Sequence, residues 1–238
     1  MKSERGKRLD QRSALITGAG SRVGRAVCER FAREGAWIVA VDGDQEAAEA
    51  AAQRARDVGA PAIGLKTAAL DPAITETIVA TALQRMWQID ILVNNTTALA
   101  DHSPGGGTDW AATLAINLEA SYRFAQGIIP QMRRRGGGVV LTVGWCWGDS
   151  DEPAEALARD TSQAAVATLT RRLAEAHGDA GVRACTVCPV AADREDPEPA
   201  APPANGAAVS IDRDAAADRI AGRLVALAAA RGEAAGGG

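Results

Sequence analysis

Six short apolar runs alternate with segments whose apolar positions recur every three or four residues. The runs are Ser13–Thr17, Ala36–Asp42, Ala62–Lys66, Ile89–Val93, Val139–Val143 and Val182–Cys188. Each is apolar on successive residues, the pattern of a strand covered on both faces. The segments between them predict helices over Arg22–Glu34, Gln45–Val58, Pro72–Trp87, Thr108–Arg135, Pro153–His177 and Asp212–Ala230. Strands and helices in strict alternation predict one α/β domain, a doubly wound parallel sheet with helices on both faces. Gly35 and Gly59 stand where helices end. Gly136-Gly137-Gly138 closes the longest helix, and Arg133-Arg134-Arg135 suits the negative end of its dipole.

The expected domain covers residues 12–230, between a basic arm at 1–11 and a Gly-rich tail at 231–238, both expected to be disordered. Residues 189–209 interrupt the rhythm. They are acidic and proline-rich, and predict a mobile loop over the crevice at the strand ends. The long helices carry small apolar residues, among them Ala164, Ala165, Ala167, Leu169 and Leu173, which suit close packing.

The first strand leads into Thr17-Gly18-Ala19-Gly20-Ser21-Arg22-Val23-Gly24. A glycine turn between a strand and a helix lets the backbone approach a phosphate, and the helix start supplies N–H groups to it. The second strand ends in Asp42, an acid at the spacing where dinucleotide folds grip the ribose hydroxyls. A net charge of −4 gives no basic face for nucleic acid, no apolar run reaches membrane-spanning length, and the N-terminus lacks an apolar signal core, so a cytoplasmic protein is expected. Cys185 and Cys188 stand three apart on a predicted strand, so their sulfurs diverge and burial is the simpler reading for this pair. No residues have metal-ligand spacing.

With these motifs in place, the chain resembles the short-chain dehydrogenase/reductase family over most of its length. Thr17-Gly18 to Gly24 looks like that family's cofactor turn. Ile89 to Asn95 looks like its fourth strand with the Asn94-Asn95 pair, Ile116-Asn117-Leu118 like the segment bearing its helical asparagine, and Val182 to Pro189 like its sixth strand. The resemblance implies a Rossmann-like fold. It implies cofactor contacts at Thr17, Gly18, Arg22, Gly24, Asp42 and Asn94. Asp42 would repel a 2′-phosphate, so the dinucleotide expected is NAD.

The resemblance also implies a catalytic Tyr, a Lys four residues later that lowers the Tyr pKa and holds the nicotinamide ribose, and a Ser at the end of the fifth strand. Here the only tyrosine is Tyr122 and the only lysines are Lys2, Lys7 and Lys66. The three positions fall at Arg159, Gln163 and Trp145 (or Cys146 with a one-residue shift); Asn117 is retained. Guanidinium does not release a proton near neutral pH, and a neutral amide lowers no pKa. Thr97, Ala68 and Arg194 erode the cofactor contacts further, so binding no cofactor is the second expectation. The family's final strand and Gly-Gly ending are not visible.

Three functions follow. One is a protein that has lost hydride chemistry and acts as a binding or assembly partner. Another is a repurposed enzyme for dehydration, isomerisation or cyclisation using Arg159, Asp149, His102 or Cys146. The third is an NAD-dependent oxidoreductase with an unusual proton donor. Trp145 and Trp147 either plug the crevice or form a stacking floor in it. The resemblance implies a homodimer or tetramer through helices 108–135 and 153–177, or a hetero-oligomer with an active homologue.

Overall fold

The computed structural model describes residues 7–67, 71–96, 110–144, 153–190, 205, 208–212 and 217–230. Seven parallel strands form one sheet. They are β1 (Ser13–Thr17), β2 (Trp37–Asp42), β3 (Ala62–Lys66), β4 (Ile91–Asn95), β5 (Gly138–Val143), β6 (Val182–Val190) and β7 (Ala208–Asp212), in the order β3-β2-β1-β4-β5-β6-β7. The helices are α1 (Arg22–Arg33), α2 (Gln45–Asp57), α3 (Pro72–Met86), α4 (Trp110–Leu114), α5 (Ala120–Arg134), α6 (Pro153–His177) and α7 (Ala217–Ala229).

Strand alternation sorts the core into two halves. Ala14, Ile16, Ile38, Ile91, Val93 and Leu141 face α1, α2 and α7, where Val27, Phe31, Ala51, Leu224 and Val225 meet them. Leu15, Val39, Val41, Leu92 and Val140 face the other way, onto Ile78 and Val79 of α3 and Phe124 and Ile128 of α5. Burial on both sides explains why these strands read as continuous apolar runs. The chain reverses strand order between β1 and β4, which opens a crevice beyond their carboxyl ends.

Two predicted boundaries are corrected. A seventh strand exists: Ala208–Asp212 pairs in parallel with β6, Val187 opposite Val209 and Pro189 opposite Ile211. The last helix therefore starts at Ala217 rather than Asp212. Val209 and Ile211 carry the two-residue period of a strand, which the preceding prolines obscured. Within the expected loop 189–209, Asn205 is anchored. Its side-chain oxygen accepts the Ala184 N–H at 2.7 Å, and its amide nitrogen donates to the Ala174 and Val182 carbonyls, each at 3.3 Å.

The predicted helix 108–135 is broken by a π-turn, Ala115–Glu119, that joins α4 to α5. Within the expected arm, Leu9 is 1% exposed in the core, and its N–H donates to the Glu34 carbonyl at 2.9 Å. Arg8 reaches the Glu34 carboxylate at 2.7 Å. Cys28 and Cys185 are buried, and burial pushes the Cys28 thiol up to about 12. No helix among the described residues is long and apolar enough to cross a membrane.

Hydrogen bonds from Arg8, and then Arg30, hold the Glu34 carboxyl down at about 2 against an ordinary value of 4.5. A depressed carboxyl contributes stability that is complete above its unfolded value and lost as pH falls through its folded value. Acid unfolding should therefore show a contribution from Glu34 that declines between about pH 4.5 and 2. Arg8→Ala should reduce that contribution, read as a smaller difference from Glu34→Gln in denaturant titrations at pH 5.

Candidate functional site

The site begins at the end of β1. Gly18 adopts φ 58°, and the chain turns so that Ser21 caps α1, its hydroxyl accepting the Gly24 N–H at 3.0 Å and donating to the Gly18 carbonyl at 2.8 Å. A Cβ on Gly24 would lie 2.1 Å from the Gly18 carbonyl oxygen, so this position admits no side chain. Asn95, at the end of β4, fastens the turn across the sheet. Its amide nitrogen donates to the Gly18 carbonyl at 3.1 Å and to the Ser21 hydroxyl at 2.9 Å. Its backbone N–H donates to Thr17 Oγ1 at 3.1 Å.

Asp42 ends β2 beside the turn. Its carboxylate accepts the Gly20 N–H at 2.8 Å and the Asp44 N–H at 3.1 Å. Two acceptor positions remain on that carboxylate. The helix start adds the N–H groups of Arg22 and Val23, which have no intrahelical acceptor. Arg22 is exposed at the rim. The predicted cofactor residues Thr17, Gly18, Arg22, Gly24 and Asp42 are thus brought together, and the close glycines, free N–H groups and ribose-spaced acid fit the diphosphate and ribose of a dinucleotide.

Asn94 lies elsewhere. Strand alternation sends it to the α5 side, 2% exposed, where its amide nitrogen meets the Ser121 carbonyl at 3.4 Å and its oxygen has no partner. Asn117 sits in the π-turn, 1% exposed, and donates to Ser162 Oγ at 2.9 Å; its side-chain oxygen is likewise unpartnered. Ser162 in turn donates to the Arg159 carbonyl at 2.8 Å.

Gln163 is only 8% exposed. Thr96 Oγ1 gives its one hydrogen to the Val143 carbonyl at 2.8 Å, so it accepts from the Gln163 amide nitrogen at 3.1 Å. The Gln163 oxygen lies 2.1 Å from where a Cβ on Gly144 would stand. Arg159 is partly exposed and 3.4 Å from the neighbouring carboxylate of Asp160. Sequence reasoning missed Asn95 as the fastener, and missed Thr96, Gly144 and Ser162. A threonine just past a strand and a glutamine inside a helix give no pattern until the fold pairs them.

Trp145, Cys146, Trp147, Asp149 and His102 lie outside the described residues, as do Thr97, Ala68 and Arg194. No group of three or more His, Cys, Asp or Glu side chains among the described residues is arranged to hold a metal.

Sheet order, crossover pattern and glycine turn define a doubly wound α/β protein of the Rossmann-like class. The short chain dehydrogenase family model matches residues 12–196. The chain is 34% identical over 189 residues to a D-threitol dehydrogenase of Mycolicibacterium smegmatis, covering 76% of this chain and 70% of that one. It is 27% identical over 190 residues to the 7alpha-hydroxysteroid dehydrogenase of Escherichia coli, covering 76% and 71%. Among solved structures, a hydroxysteroid dehydrogenase from Escherichia coli matches with a TM-score of 0.69 at 26% identity, over 78% of this chain and 75% of that one. A metagenomic short-chain oxidoreductase in complex with NADP shares the fold, with a TM-score of 0.74 at 22% identity over 94% and 93%. The chain belongs to the short-chain dehydrogenase family.

Gly24→Ala should destabilise the protein by about 3 kcal/mol, the upper range for forced overpacking, because the opposing atom is a backbone carbonyl that cannot swing aside. Urea denaturation monitored by circular dichroism measures this directly.

Proposed function

We propose that this protein keeps the dinucleotide-binding half of its family's site, has lost carbonyl-reducing hydride chemistry, and works as a binding or assembly partner. One observation carries the reading. Where the family resemblance places Tyr and Lys, this chain has Arg159 and Gln163, and the Gln163 amide is spent on Thr96 in a slot beside Gly144. General acid chemistry on a carbonyl needs a titratable donor with a neighbouring cation that tunes it. Gln163 carries no ionisable group, and a guanidinium is not a general acid in the working range.

Thr17, Gly18, Arg22, Gly24 and Asp42 are the residues that would hold NAD, and Asp42 disfavours a 2′-phosphate. When bound, such a group supplies hydride to relatives of this kind. In this chain the surrounding residues orient and bind; none of Asn117, Ser162 or Gln163 is free to move a proton, because each is buried and bonded within the fold. The purified protein should leave NADH and NADPH absorbance unchanged over a panel of ketones and polyols. Steady turnover that survives repurification and mutation of Arg159 would overturn the reading.

The assembly role rests on exposed apolar side chains along the α4–α5 and α6 faces: Trp110 at 46%, Tyr122 at 45% and Leu157 at 62% exposed. Contact with a second copy would cover them. Light scattering should give at least a dimer, and Tyr122→Arg with Leu157→Arg should shift the mass toward the monomer. A monomeric wild-type protein at micromolar concentration would remove this part of the proposal.

A further inference from the structure

A groove of about 430 Å³ runs between α3 and α5. Small-molecule sites occupy roughly 300–1,000 Å³, so its size admits a ligand. Thr75, Glu76, Val79, Ala80 and Leu83 form one wall, a single side of α3. Arg123, Gln126 and Gly127 of α5 form the other. Gly127 puts no side chain into the space, and a Cβ there would stand 3.2 Å from both Val79 methyls. None of these residues belongs to the turn after β1 or to α6.

The two walls carry opposite charges that do not meet each other. Arg123 pairs with Glu119 on its own helix through Nε, at 3.1 Å, and Nη2. Its Nη1 keeps both hydrogens unspent among the described residues. Glu76, exposed on the facing wall, has no ion pair among the described residues. The Gln126 amide nitrogen donates to the Tyr122 hydroxyl at 3.1 Å, which leaves its oxygen uncommitted. Thr75 is 1% exposed, and its hydroxyl has no hydrogen-bond partner. A buried hydroxyl left in that state is costly, and a ligand that pairs it recovers the loss. Between these groups Val79, Ala80 and Leu83 offer an apolar strip.

We infer that the α3–α5 groove binds a free α-amino acid with an apolar side chain. The free edge of Arg123 and the Thr75 hydroxyl take the carboxylate. Glu76 and the Gln126 oxygen take the ammonium group. The side chain lies along Val79, Ala80 and Leu83. A dipolar ligand uses both walls at once, whereas a simple anion or a simple cation leaves one of the two charges unanswered. Every group invoked stands on α3 or α5, so the inference holds or fails independently of the nucleotide site.

Isothermal calorimetry on the full chain tests this with leucine, methionine and phenylalanine as probes. At least one should bind. For that probe, the analogue lacking the amino group and the analogue lacking the carboxylate should each bind tenfold or more weakly, and so should glycine. Glu76→Gln and Arg123→Gln should each weaken binding by a similar factor. Ala80 is exposed, so Ala80→Trp fills the groove from the surface and should abolish binding while circular dichroism stays unchanged. No heat with all three amino acids overturns the inference. An analogue without its charge that binds as well as the amino acid reduces the groove to an apolar slot and overturns it. Binding that survives Ala80→Trp lies elsewhere and overturns it too. If Ala80→Trp instead lowers the mass seen by light scattering and no amino acid binds, a second copy fills the groove and the inference falls.

Discussion

The amide of Asn95 holds the site to the sheet. From the end of β4 it donates to the Gly18 carbonyl and to the Ser21 hydroxyl, the atoms that shape the turn and cap α1. Two strands adjacent in space but distant in sequence are thereby locked at the point where strand order reverses. The Gly18 carbonyl points at Gly24, so α1 must carry no side chain at that position. Remove the lock and the phosphate-sized cradle loses its floor, its helix start and its distance from Asp42 together. Such a network is worth more than its separate bonds because every member is satisfied by another.

The same lock explains how the β1–α1–β2 unit keeps the family's architecture. The β1–α1–β2 unit is held together by the bare Gly24, the Ser21 cap and Asn95. Gln163 and Arg159 stand on α6, outside that unit. Thr96 supplies the Gln163 amide with an acceptor and hands its own hydrogen to Val143. A buried amide left without such a partner would cost on the order of 1–3 kcal/mol. Gln163 and Thr96 form a matched pair, a polar contact at the ends of β4 and β5.

Much of the fold was legible in the chain. Ser13–Thr17, Ala62–Lys66 and Pro153–His177 have the predicted bounds, because continuous apolar runs and a Pro-started helix are strong local signals. What failed was the signal at short polar strands. Ala208–Asp212 carries only Val209 and Ile211 as its apolar pair, and the acid at its end imitates a helix cap. Leu9 looked like part of a charged arm, yet it fills a gap beside α1 that no local pattern announces. In the site, Gly24 and Asp42 were readable from spacing, whereas the Gln163–Thr96–Gly144 contact joins three segments and exists only in three dimensions.

The packing of α7 has a consequence for how the molecule is made. Val27, Cys28 and Phe31 of α1 share their half of the core with Leu224, Val225 and Ala228 of α7. α1 thus waits for α7, far along the chain, before its oily stripe is shielded. Closure across so long a sequence separation is slow. In the interval α1 is exposed to aggregation and to chaperones, so the vulnerable moment of this protein's life falls during its birth rather than in its folded state.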